Sequence, residues 1–380
     1  MKTNKHFLLT LLFIVASIGL NAAPISREQA KVNAQSFLQK VKGSRALAPV
    51  QSRAKLGPRR AKATTQETEL YYVFNRGEQQ GYIIVSGDDR TPAILGYTDS
   101  GEFDYEQLPV NMRSWLERRE MQLEALSLLP ESEAPRKAST HDAIAPMVTT
   151  HWNQGAPYND ECPMYFTLGR SITGCVATAM AQVLYYQRAK SVREVQADIP
   201  AYETWTSHET YGKLHVEGIE AGSPIDWDNM LDSYGSSATA KQKLAVAQLM
   251  HYCGVAVHMD YTNSSSGAQS SEVSTAFQKY FGYGSSTRYV QAANYSNEQW
   301  DNLIYNELAE GRPLYLSGAN SEAGHAFVCD GYDGNGCFHI NWGWGGQSDG
   351  YFMLTKLNPS SQGLGGSDGG YSDYEDAVIG

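Results

Sequence analysis

The sequence has few basic residues and only one long apolar run. Lys and Arg number 30 against 41 Asp and Glu, which gives a formal net charge of −11 over 380 residues. Nucleic-acid binding needs clustered Lys and Arg, so this balance excludes that class of partner. Beyond residue 20 no run is long enough to span a bilayer, which predicts a remainder without a stable membrane anchor.

The apolar run at residues 7–20 has the layout of an export signal. Lys2 and Lys5 precede it, and the small residues 21–23 offer a cleavage site. The run is short for a membrane span, although a single-pass anchor is the alternative. We therefore expect residues 1–23 to be a signal peptide and the protein to be secreted, either to a periplasm or outside the cell.

Cysteine is scarce as well. The five are Cys162, Cys175, Cys253, Cys329 and Cys337. Five thiols are too few for a disulfide scaffold, and an odd number in an exported protein leaves at least one without an intramolecular partner. Cys329 and Cys337 flank a turn-rich stretch, so they either bridge a hairpin or stay as buried thiols.

Residues 24–140 are predicted to form one small unit of helices and strands. Helices are expected at 26–40 and 108–129, and strands at 70–74, 82–86 and 93–97. The basic segment 41–63 is interpreted as an exposed loop or a site of proteolytic cutting. The stretch 130–146 has the Pro and Ser content of a linker, which makes it the best domain boundary.

The remainder, residues 141–380, is dense in Gly, Tyr, Trp and Ser and predicts the second domain. A helix is expected at 241–252, followed by an apolar segment at 254–259. Strands are expected at 313–317, 325–330, 337–341 and 351–354, and a mobile Gly- and Ser-rich stretch at 360–371.

Cys175 follows Gly174 and begins an Ala-rich segment that is apolar on nearly every face. Such a segment predicts a helix inside a domain, with Cys175 in its first turn. The positive end of the helix dipole stabilises a thiolate there, so we expect a lowered thiol pKa and a nucleophile. A small buried core residue is the alternative.

His325 opens an apolar strand 150 residues after Cys175, a separation that suits a cysteine on a helix and a histidine on a strand. A hairpin would return Asn341 or Trp342 beside the imidazole, where the Asn341 carbonyl can accept the ring N–H and Trp342 can exclude water. Gln154 precedes Cys175 by 21 residues, and its amide can donate to an oxyanion together with the Cys175 backbone N–H.

The order Gln154, Cys175, His325, Asn341 is that of papain-like cysteine proteases, and the sequence resembles the streptopain family. The matching stretches are 153–159, 174–182, 260–261, 324–330 and 341–346, together with the turn at 348–350 and the Gly-rich tail. The resemblance covers essentially all of residues 147–380 and is weaker before them.

The resemblance implies an α+β fold, with a papain-like catalytic domain of a helical half and an antiparallel β half after a small α+β pro-domain. Cys175 would be the nucleophile and His325 the base, with Gln154 in the oxyanion hole and Asn341 with Trp342 orienting His325. Ser265, Gly267 and Gly324 would line the substrate cleft. The expected enzyme is a secreted cysteine endopeptidase of protein or peptide substrates, made as a zymogen, inhibited by its own pro-domain and needing no cofactor.

The sequence is also compatible with three other interpretations of its function. One is an amidase or cell-wall peptidase with the same Cys–His core, and the second is an exported binding protein that retains only the fold. The third is a metal site made of His325, Cys329, Cys337 and His339, which is disfavoured because the spacing matches no tetrahedral zinc pattern. We expect no metal.

Overall fold

The computed structural model describes residues 24–41, 47–49, 69–127, 141–319, 324–354 and 374–380. The predicted signal peptide, most of the basic segment 41–63 and the Gly-rich stretch 360–371 lie outside these ranges. The described part of the basic segment includes a short strand, Ala48–Pro49, and is therefore more ordered than the predicted loop. No helix in the described ranges is both long and apolar enough to cross a membrane.

Six α-helices and twelve strands make up the described chain. The helices are α1 (Arg27–Val41), α2 (Val110–Ser127), α3 (Cys175–Tyr186), α4 (Ala240–Ala256), α5 (Val273–Tyr280) and α6 (Asn297–Ala309). The strands are β1 (Ala48–Pro49), β2 (Tyr71–Asn75), β3 (Tyr82–Ser86), β4 (Ile94–Thr98), β5 (Tyr202–His208), β6 (Gly212–Val216), β7 (Arg288–Gln291), β8 (Leu314–Ala319), β9 (Gly324–Tyr332), β10 (Phe338–Asn341), β11 (Gly350–Phe352) and β12 (Tyr374–Ile379).

The predicted helices and strands are confirmed in type. One helix and the predicted linker differ in extent from the prediction. The helix expected at 241–252 is α4, which runs on through Ala256, so the apolar segment at 254–259 begins as helix. Residues 141–146 are not a free linker, because Ile144 exchanges two backbone hydrogen bonds of 2.8 Å with Tyr332. His141 also stacks on the Tyr305 ring at 4.1 Å, so residues from His141 onward pack on the later part of the chain.

Ten strands form one antiparallel sheet in the order β1-β2-β3-β4-β11-β10-β9-β8-β12-β7. The predicted N-terminal unit contributes β1 to β4, and the later residues contribute the other six strands. The joint is between β4 and β11, where Thr98 faces Gly350 and Gly96 faces Phe352. Side chains hold the joint as well, because the rings of Tyr97 and Tyr351 stack at 5.1 Å. The two units thus share a continuous sheet.

Each face of this sheet is covered by helices, which gives three apolar cores. The first surrounds α3, α4 and α5 in the helical half, where α3 packs against β9. The second lies between the sheet and α2 and α6, with Trp115 and Leu116 of α2 fully buried in it. The third packs α1 on β2 to β4. Because α2 belongs to the N-terminal unit, the second core holds that unit against strands β8 to β11.

Candidate active site

Cys175 is the first residue of α3, as the sequence predicts. Gly174 caps the helix with a φ of +81°, and a Cβ there would meet Met259 Sδ at 2.8 Å and the Ser266 carbonyl oxygen at 2.9 Å, so only glycine fits. Burial raises the pKa of the Cys175 thiol, opposed by the backbone N–H groups of Ala326 and Val176. The expected lowered pKa is therefore wrong for this structure, because desolvation outweighs the N–H groups at the helix start.

His325 is the second residue of β9, so Ala326, whose N–H reaches the Cys175 sulfur, is its neighbour. Burial, and the nearby guanidinium of Arg118, lower the pKa of His325 to about 4. The imidazole is therefore neutral near pH 7. Among the described residues, no hydrogen bond joins His325 to Cys175, although their backbones are adjacent.

Asn341 ends β10 with both polar atoms of its side chain hydrogen bonded, but to groups other than His325. Its Nδ2 donates to the Thr150 carbonyl at 2.7 Å, and its Oδ1 accepts from Gln182 Nε2 at 3.2 Å and from Gly343 N at 3.0 Å. Because Gln182 lies on α3, Asn341 links the β half to the helix that has the nucleophile.

Trp342 is buried beside the same strands. Its N–H donates to Asp349 Oδ1 at 2.8 Å, and its indole N–H donates to the Ser348 carbonyl at 3.0 Å. Its ring packs on Phe327 and Phe352 at 5.1 and 5.2 Å. These contacts fix the indole just past the end of β10, the strand next to the one that contains His325.

Gln154 is buried close to the nucleophile because its carbonyl accepts from Thr173 N at 3.1 Å, two residues before Cys175. Its own N–H donates to Asn153 Oδ1 at 2.7 Å. Within the described part of the chain, its side-chain amide has no hydrogen-bond partner. A donor without a partner, next to the start of α3, can donate to a developing oxyanion.

The predicted cleft residues fall into two segments, one beside Gly174 and one beside His325. Gly267 exchanges backbone hydrogen bonds with Asp260, and the exposed Ser265 donates its N–H to Thr262 Oγ1 at 2.8 Å. The loop that contains them touches the start of α3 through Ser266. Gly324 is exposed at the first position of β9, next to His325. Ser265 and Gly267 thus belong to a loop that touches Gly174, and Gly324 precedes His325 in sequence.

Two polar residues of α2 contact the His325 strand, and the sequence reasoning missed both. Asn111 is 1% exposed, and its Nδ2 donates to the Trp342 carbonyl at 2.5 Å and to the Ala326 carbonyl at 3.4 Å. The buried Arg118 guanidinium lies on Gly318, whose partner across the β8–β9 ladder is His325. A signal was present, since both residues share a helical face with Trp115.

The other four cysteines, like Cys175, are free thiols, and they are buried. The hairpin bridge between Cys329 and Cys337 is absent, so the alternative of buried thiols is correct for these two described residues. The described residues also contain no group of three or more His, Cys, Asp or Glu side chains that could hold a metal ion.

The described chain has a helix that begins with a cysteine, an antiparallel sheet with a histidine beside it, and an N-terminal unit joined to that sheet. Together these features define a papain-like cysteine protease in precursor form. The chain belongs to the Peptidase C10 family, which matches residues 152–352. Residues 22–123 match a second family, the Spi protease inhibitor. The expected α+β fold with an inhibitor-type pro-domain is therefore confirmed, and the protein is a cysteine endopeptidase zymogen of the streptopain type.

Relatives support the same assignment. Streptopain of Streptococcus pyogenes is 33% identical over 370 residues, covering 93% of this chain and 91% of that protein. The thiol protease/hemagglutinin PrtT of Porphyromonas gingivalis is 34% identical over 375 residues, which are 95% of this chain and 42% of PrtT. The chain thus spans less than half of PrtT.

Solved structures from Prevotella intermedia are similar in both parts. A prointerpain A fragment superposes with a TM-score of 0.69 at 33% identity, covering 82% of this chain and 96% of the fragment. Active interpain A superposes with a TM-score of 0.52 at 35% identity, covering 62% of this chain and 94% of that one. The larger coverage by the precursor form agrees with a pro-domain in this chain.

Proposed function

We propose that Cys175 is the nucleophile and His325 the general base and acid of this endopeptidase. The Cys175 thiolate attacks a peptide carbonyl, and His325 protonates the leaving amine. Water then hydrolyses the thioester with His325 as base. The main support is the backbone N–H of Ala326, which reaches the Cys175 sulfur and so brings the strand of His325 against the start of α3.

Three further residues complete the proposed machinery. Gln154 and the Cys175 backbone N–H stabilise the oxyanion of the tetrahedral intermediate. Asn341 and Trp342 orient His325 once the pro-domain has left. The support for this step is the position of Asn341 between α3 and β10, where it already links the two halves.

The substrate is a polypeptide that lies in an extended conformation in front of Cys175. Ser265 and Gly267 line one side of its path, and Gly324 lines the other. The support is that their two segments flank the start of α3 and the start of β9. Peptide backbone can pair with such segments through main-chain hydrogen bonds, which favours polypeptides over small amides.

Residues 24–140 are the inhibitory pro-domain and residues 141–380 the catalytic domain, preceded by a secretion signal at 1–23. Latency is explained by α2, since Asn111 holds the carbonyls of Ala326 and Trp342, and Arg118 adds to the burial that lowers the pKa of His325. A neutral, unpaired imidazole does not form the ion pair with a thiolate that activates a cysteine. Maturation by a cut before His141 would release this restraint.

An epoxide inhibitor of cysteine proteases tests the proposal. The matured enzyme should form a single adduct that mass spectrometry locates on Cys175, and the uncut precursor should react far more slowly. The four buried thiols are internal controls, since they should stay unmodified. An adduct on any other cysteine would overturn the assignment, and failure to digest casein would favour a narrow amidase.

A further inference from the structure

A cluster of partly exposed rings lies on the helical half, outside the residues assigned above. Phe166 stacks on Tyr211 with ring centroids 4.8 Å apart and planes 21° apart. His208 lies 5.0 Å from Tyr211, and Tyr165 lies 5.8 Å from His208. Leu168, 46% exposed, is in the same loop, and Tyr211 is 44% exposed. We call these five residues the aromatic platform.

The fold holds the platform in a defined shape. Phe166 has a φ of +52°, a left-handed conformation that is costly for a bulky residue and persists only where the surroundings impose it. The hydroxyls of Thr167 and Tyr211 are hydrogen bonded at 3.0 Å, which joins the loop to the β5–β6 hairpin. Tyr165 N also donates to the Gly169 carbonyl at 2.8 Å, closing the loop. A chance cluster of surface rings would not need these restraints.

The platform is continuous with the proposed substrate path. Asn263 Nδ2 donates to the Leu168 carbonyl at 3.0 Å, and Ile172 N donates to the Thr262 carbonyl at 3.1 Å. These two bonds fasten the platform loop to the loop that contains Ser265 and Gly267. The platform loop then leads through Ile172 directly to Cys175. A chain that passes beside Ser265 and Gly267 therefore reaches the platform next.

We propose that the aromatic platform is an extended subsite for an aromatic or branched apolar side chain of the polypeptide substrate, upstream of the residues beside Ser265 and Gly267. The inference rests on the proposed peptidase function. The rings of Phe166 and Tyr211 are already stacked and Tyr211 is exposed, so a substrate ring can add to them at little cost in ordering. The enzyme would then prefer long substrates over short ones of the same sequence at the cut.

The test compares two substrates with two variants. A short fluorogenic peptide ends before the platform, and a longer one has a single Phe moved in turn from the third to the seventh residue before the cut. Each is assayed with matured wild-type enzyme, with Y211A and with L168A, after active-site titration. L244A is the matched control, because Leu244 is also 44% exposed but lies on α4. Thermal unfolding checks that every variant is folded.

At the best Phe position, wild-type enzyme should gain about tenfold in kcat/KM over the same long peptide with Ala, the scale expected of one well-packed aromatic contact. Y211A should lose most of that gain, L168A part of it, and both should cleave the short peptide normally. The proposal would be overturned if the variants lost kcat/KM equally on both peptides or lost none on either. It would also be overturned if they differed from wild type only in oligomeric state. A wild-type enzyme that cleaves neither peptide would instead refute the peptidase function itself.

Discussion

Cys175 and His325, the proposed nucleophile and base, differ in how complete their surroundings are. Cys175 already has its helix start, backbone N–H groups directed at its sulfur and Gln154 nearby. His325 has no hydrogen bond to that sulfur within the described chain, and burial, together with the pro-domain residue Arg118, lowers its pKa. We infer that the pro-domain leaves the proposed nucleophile in place and withholds the proposed base. Four substitutions test this difference.

The largest effect is expected for C175A. Alanine fits the packed start of α3, so the variant should fold normally but lose casein hydrolysis to below about one part in a thousand, the scale left by binding and oxyanion contacts alone. If the precursor matures itself, the variant also stays full length on a gel. C253A is the control, because Cys253 is a buried thiol of α4 and its loss should affect stability more than activity. Activity in C175A would show that another group is the nucleophile.

N341A should lower kcat of the matured enzyme by about 100-fold, at the lower end of general acid–base contributions, and change KM little. The reason is that Asn341 is proposed to act on the imidazole and not on the substrate. Because three hydrogen bonds are also lost, circular dichroism must show a folded protein at the assay temperature. A normal kcat would mean that Trp342 or a backbone carbonyl orients His325.

W115A should weaken inhibition by the 24–140 fragment added in trans to matured enzyme by about 30-fold or more. Trp115 is fully buried against Phe352 with ring centroids 5.0 Å apart, and its indole donates to the Met353 carbonyl, which are the features of an interface hot spot worth about 2 kcal/mol. M121A, on the exposed side of α2, is the control. Equal inhibition constants for W115A and wild type would exclude α2 as the anchor.

The smallest effect concerns pH. The pKa of His325 is about 4 in the precursor, lowered by burial and then by Arg118, which belongs to α2. Released His325 binds its proton at higher pH, so pro-domain affinity should be full above about pH 6.5, the ordinary value for histidine, and fall as pH drops toward 4. R118M removes one of the two causes of the lowered His325 pKa. The inhibition constant of a pro-domain with this substitution should therefore vary several-fold less over that pH range. An unchanged pH profile in R118M would leave burial as the only cause.

The residues of the candidate site were easier to predict from the sequence than the contacts that restrain them. Gln154, Cys175 and the start of β9 come together as the motifs predict, because each motif marks a local feature such as a helix start or a strand end. The Asn341 contact differs, since its partners Thr150 and Gln182 are distant in sequence and leave no local pattern. The raised thiol pKa also depends on packing that the helix start alone does not reveal.

The joint between the units could not be predicted for a similar reason. The pairing of β4 with β11 joins residues about 250 positions apart, and a strand pattern gives no partner or register. The helix α6 was missed although its signal was present, as Ser296 and Gln299 form a capping box. The β5–β6 hairpin was missed because its outward residues are polar and its turn is short.

Strand β12 has a consequence for how the protein is made. Residues 374–379 lie between β8 and β7 inside the sheet, and β7 has no other strand partner in the described chain. The sheet that supports His325 is thus incomplete until residue 379 has left the ribosome. Pairing across such long separations is also slow. A chain still being synthesised therefore remains without the finished sheet around His325, so completion of the proposed site comes at the end of synthesis.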